Sequence, residues 1–117
     1  MKTFEELNIW KLSKTLCVNI YNNGNEKYKK DFGFKDQIQR AAVSIMSNIA
    51  EGFERGSNKD FIKFLYYSKA SCGEVRSLLA LSPELGYLAT PEYNQLHESC
   101  IDLSKQISNF IKYLAKN

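Results

Sequence analysis

Residues 34–56 read FKDQIQRAAVSIMSNIAEGFERG, and the spacing of polar groups in this stretch decides how the chain is organised. Placed on a helix at about 100° per residue, Gln37, Arg40, Ser44, Asn48, Glu51 and Arg55 fall within an arc of about 80°. Ile38, Ala41, Ala42, Ile45, Ile49 and Phe53 form the apolar face that an amphipathic helix turns toward a core. The polar row mixes guanidinium, amide, hydroxyl and carboxylate groups. Small residues beside it (Ala42, Ser47, Ala50, Gly52) would let another helix approach closely. The pattern is that of a recognition surface or a buried network on a helix ending at Gly56.

Working outward, Thr3 and Glu6 have the spacing of a capping box, and two adjacent apolar rows carrying Leu7, Trp10, Leu16, Cys17 and Ile20 follow. They predict a first helix from Phe4 to Asn22, with Gly24 suited to the left-handed position past its end. Residues 25–33, NEKYKKDFG, have no helical period and gather Lys27, Lys29 and Lys30 around Tyr28, so they are expected to form the longest loop.

Beyond Gly56, Ser57 or Asn58 caps a third helix that presents Phe61, Phe64, Leu65, Ser68, Cys72, Val75 and Leu79 on one face. A second, partly apolar strip of Tyr66, Ala70, Ser77 and Leu81 is more than a lone helical hairpin leaves in water, which makes Tyr66, Ala70 and Leu81 candidates for a subunit interface. Pro83 should end or kink this helix, leaving a short continuation to Leu88 closed by Gly86. Thr90 as cap and Pro91 as first residue open the fourth helix. Its Leu96, Cys100, Leu103, Ile107, Phe110 and Leu114 alternate steps of four and three, the seam of a bundle helix. Acidic residues toward its start and lysines toward its end complement the helix dipole. Four amphipathic helices with mostly short connections predict one all-α domain over residues 1–117, an antiparallel up-down four-helix bundle.

The totals agree with that reading. The chain has 117 residues, 44% of them hydrophobic and 13% aromatic, enough for one core and well above the composition of a disordered chain. A formal charge of +3 suits a nucleic-acid partner without arguing for one by itself. Cys17, Cys72 and Cys100 are odd in number and sit among apolar residues, as reduced core thiols of a cytoplasmic protein do. No signal peptide or membrane span is expected.

Catalysis finds little support. His97 lies one turn from Cys100, but no further ligand pair completes a zinc site. The Glu-x-x-His pairs of di-iron bundles and a Gly-rich phosphate loop are both missing from the sequence. Glu51 and Glu74 are better matched to Arg40, Arg55 and Arg76 as a structural or interface network than to acid and base work. No catalytic residue, metal, cofactor or small-molecule substrate is therefore expected. Lys27, Lys29, Lys30, Lys35, Arg40 and Arg55 are the candidate phosphate contacts, with Tyr28 as a stacking group.

The sequence from Trp10 to about Leu88 resembles the 23S rRNA intervening-sequence proteins, a bacterial four-helix-bundle family, and the match is weak only in the fourth helix. The resemblance rests on Q-x-x-R-A-A-x-S-I and N-I-A-E-G-x-x-R within Gln37–Arg55, an aromatic-rich helix, Gly73-Glu74, and the Leu-Gly-Tyr-Leu run of Leu85–Leu88. The family's polar positions are present as Gln37, Arg40, Ser44, Asn48, Glu51, Gly52, Arg55 and Glu74. The resemblance implies a ring-like homo-oligomer, commonly a pentamer. By analogy with related accessory proteins of diversity-generating retroelements, it also implies a role with RNA or DNA. The expected function is a non-enzymatic homo-oligomer that binds structured RNA or another nucleic acid; the alternative is a protein-interaction scaffold. Within the polar row, Asn48 and Glu51 are expected to be satisfied by protein groups.

Overall fold

The computed structural model describes residues 2–117. A 3₁₀ turn over Phe4–Glu6 precedes α1 (Asn8–Asn22), α2 (Glu26–Lys30), α3 (Phe32–Glu54), α4 (Asn58–Leu81) and α5 (Thr90–Ala115). The four long helices pack in a closed square in which α1 neighbours α3 and α5, and α4 neighbours α3 and α5. Each neighbour runs antiparallel. Asn8 at the start of α1 bonds Gln106 late in α5, and Asn58 at the start of α4 reaches the carbonyl of Leu114 at the end of α5. The result is a four-helix bundle of 46 × 21 × 20 Å.

The core lies where the apolar faces meet. Ile38, Ala42, Ile45 and Ile49 of α3 are fully enclosed with Leu65, Val75 and Leu79 of α4, Leu103 and Ile107 of α5, and Leu16 and Ile20 of α1. Cys17, Cys72 and Cys100 are free thiols inside this core, as the sequence predicts. α3 and α4 approach closely at Gly52: a Cβ placed there would lie 2.6 Å from Phe64 Cβ.

Four local expectations change. The first helix does not start at Phe4, and Thr3 makes no side-chain cap; Leu7 adopts an extended conformation between the 3₁₀ turn and α1. That break lets Leu7 enter the core while Phe4 packs edge-on against Trp10 at 5.3 Å. Residues 25–33 are not a loop. Asn25 caps α2 by accepting from the Tyr28 amide at 3.1 Å, and Asp31 both closes α2 and caps α3 through the Phe34 amide at 3.1 Å. Residues after Leu81 form turns rather than a further helix, with the Tyr87 amide donating to the Ser82 carbonyl at 2.9 Å. Finally, α5 is capped at Ala89, one residue before Thr90, and the Ala89 amide donates to the Glu92 carboxylate at 3.2 Å. Two sequence signals hold as read: Ser57 caps α4, and Gly24 takes φ +106°, where a side chain would also collide with the Tyr28 ring.

Candidate functional site

The polar row of α3 borders the core stripe and therefore lies along the outer seam with α4. Ser44 and Ser71 hydroxyls meet across it at 2.9 Å. Asn48 donates to the Ser44 carbonyl at 2.9 Å and to its hydroxyl at 3.0 Å, and Gln37 donates to Glu74 at 3.4 Å. Arg55 donates to Glu51 at 3.4 Å and lies over the Phe64 ring at 4.8 Å. Half-buried Ser44 and Asn48 are thus held by protein groups, whereas Glu51 stays exposed and is held by one surface pair. Arg40 leaves the row and pairs with Asp36 at 2.8 Å, both side chains open to water. Arg76 faces the other side of α4.

The lysine cluster stands at one end of the bundle. Lys29 pairs with Glu26 at 3.5 Å, and Lys35 donates to the Lys29 carbonyl at 3.3 Å while lying 5.1 Å from the Phe32 ring. Lys27 and Lys30 are exposed without an ion pair among the described residues. Tyr28 does not offer the stacking face expected of it. Its ring is 5% exposed and packs edge-on against Phe34 and Tyr87, and its hydroxyl donates to the Ile20 carbonyl at 3.3 Å. Burial pushes its phenol pKa up, so it serves as the neutral anchor that fixes α2. Arg55 is about 30 Å along α3 from Lys35 and belongs to a different patch.

Sequence reasoning missed a third feature. A groove of about 410 Å³ runs between α4 and α5, lined by Lys69 and Arg76 on one wall and by Ile101, Ser104, Lys105, Ser108, Asn109 and Lys112 on the other. None of its four cations has an ion pair among the described residues. The signal was available: Lys69 and Arg76, like Lys105 and Lys112, are seven residues apart and so share a helix face. The candidate interface residues Tyr66, Ala70 and Leu81 are all exposed on α4, and Tyr66 borders an extension of the groove beside Lys69, Ser108 and Lys112.

Two of the three core thiols are held in the protonated form. Burial raises the Cys17 pKa, while contact with Cys72 and burial raise that of Cys100, so both stay protonated near neutrality. Cys72 donates to the Cys100 carbonyl at 3.3 Å. No group of three or more metal-ligating side chains occurs among the described residues, and no helix there is long and apolar enough to cross a membrane.

Helix order and the cross-linked polar seam define a helical bundle with a signature on its second long helix. The chain belongs to the 23S rRNA-intervening sequence protein family, whose model matches residues 5–109. It is similar to a crystal structure from Bacteroides thetaiotaomicron described as a protein with unknown function from the S23 ribosomal protein family. The two share 26% identity and superimpose with a TM-score of 0.80, covering 89% of this chain and 98% of that one. No curated protein matches the chain.

Proposed function

We propose that this protein is a non-catalytic homo-oligomer that binds nucleic acid, with structured RNA as its preferred ligand. The observation that carries the reading is the lysine cluster around α2: Lys27, Lys29, Lys30 and Lys35 surround an element fixed by a buried tyrosine and two side-chain caps. Such a cluster can pair with phosphates without first being ordered, which reduces the entropy cost of binding. The family's description, which ties it to insertions in 23S rRNA, agrees with an RNA ligand. Arg40 and Arg55 serve as outlying contacts once released from their exposed carboxylate partners, because such pairs contribute only about 0–1 kcal/mol.

Self-association is supported by the strip on α4, where Tyr66 is 55% and Leu81 44% exposed with Ala70 between them. The resemblance favours a ring, commonly a pentamer. Light scattering at micromolar concentration should give an oligomer mass, and a monomer mass would overturn this part. For the ligand, titration of a labelled RNA hairpin should show binding that weakens steeply with added salt. Failure to bind even at low salt would sink the nucleic-acid reading. The exposed Tyr66, Tyr67 and Leu81 favour one alternative, a protein-interaction scaffold, which requires a single protein partner whose capture survives nuclease treatment.

A further inference from the structure

We infer that the α4–α5 groove is a track for one sugar-phosphate backbone of the bound nucleic acid, an inference that rests on the nucleic-acid reading above. Four cations face it, two from each wall: Lys69 and Arg76 on α4, and Lys105 and Lys112 on α5. Ser104 and Ser108 line the same wall as the two α5 lysines and make no side-chain hydrogen bonds among the described residues, leaving their hydroxyls available to phosphate oxygens. Seven residues of helix rise about 10 Å, so each wall sets its two cations about 10 Å apart along the groove, where they can meet different phosphates of one strand.

A groove of about 410 Å³ is larger than one free phosphate needs and suits a continuous chain of charge. The positive stretch also has direction. Beyond Lys105 the surface turns to His97, Glu98 and Asp102, whereas past Lys69 and Lys112 it continues to exposed Tyr66. Phosphates are therefore favoured along the Lys112 half of the seam and repelled at the Asp102 end. An acidic protein segment is the competing occupant.

The deciding experiment measures binding of a labelled RNA hairpin by anisotropy across a salt series for three double variants. Lys105→Gln with Lys112→Gln should weaken binding about ten-fold and lower the salt slope by about two. Lys105→Arg with Lys112→Arg keeps the charge and should bind like the parent. Lys11→Gln with Lys14→Gln makes the same charge change on α1, the helix diagonal to α4, and should change affinity less than about two-fold. If the groove variant loses no more than the α1 variant, the groove is overturned while the nucleic-acid reading stands. If the parent protein itself fails to bind at low salt, both fall. The salt slope keeps the test specific, because a loss of fold or assembly would not be restored by arginine and would not track two phosphate contacts.

Discussion

At the scale of single residues, steric fit and charge make separable demands. Gly52→Ala gains up to about 1 kcal/mol of helix preference but drives a methyl to 2.6 Å from Phe64 Cβ. Overpacking of this kind costs about 1–3 kcal/mol, so a net loss of stability is expected as a lower urea midpoint. Asp31 tests charge. It accepts from the Tyr87 hydroxyl and the Phe34 amide, and these bonds hold its carboxyl below the usual carboxylate range. A pKa lowered by folding contributes stability that is present above the unfolded value near 3.9 and is lost as pH falls through the folded one. Asp31→Asn retains an oxygen for the α3 cap but removes the titration. Urea midpoints followed downward from pH 5 should therefore decline less steeply in the variant than in the parent. Gly24 was legible from the helix end before it, and Gly52 from the small residues that flank the polar row and leave room for another helix. The burial of Tyr28 was not, because Tyr87, which covers it, comes from a turn far along the chain.

At the scale of elements, α2 shows where periodicity stops being informative. A five-residue helix is too short to display a 3.6-residue period, so its caps were the only sign of it. Those caps also tie it to the α4–α5 turn: Asn25 donates to the Gly86 carbonyl at 2.7 Å while accepting from the Tyr28 amide. Asn25→Ala removes both bonds and should cost about 1–2 kcal/mol, with faster amide exchange confined to α2 and residues near Gly86. The polar row separates differently from what its sequence suggests. Glu51→Gln removes only an exposed i,i+4 pair, so the unfolding free energy from urea denaturation should change by less than about 0.5 kcal/mol. Ser44→Val leaves Asn48 and Ser71 short of a half-buried partner and should cost more, about 1–2 kcal/mol by the same denaturation measurement. The row's identity was readable, but which members cross the seam depends on how α3 and α4 are rotated against each other.

For the molecule as a whole, the number, order and antiparallel packing of the four long helices follow from patterns that each carries by itself. The surface does not, because a groove needs two helices in a fixed register. Lys69 and Lys112 are ordinary exposed lysines until α4 and α5 place them beside one opening. The same reasoning locates the test of assembly. Ala70 is exposed, so a glutamate there should leave the bundle's helical circular dichroism and urea midpoint nearly unchanged. If the Tyr66 to Leu81 strip joins subunits, however, each copy brings that carboxylate into a closed contact without a designed partner. Desolvating it costs several kcal/mol, enough to shift association by two or more orders of magnitude. Sedimentation velocity should then show Ala70→Glu at monomer mass under conditions where the parent is oligomeric. An unchanged oligomer would place the subunit contact on another face and leave Tyr66 free at the end of the basic groove.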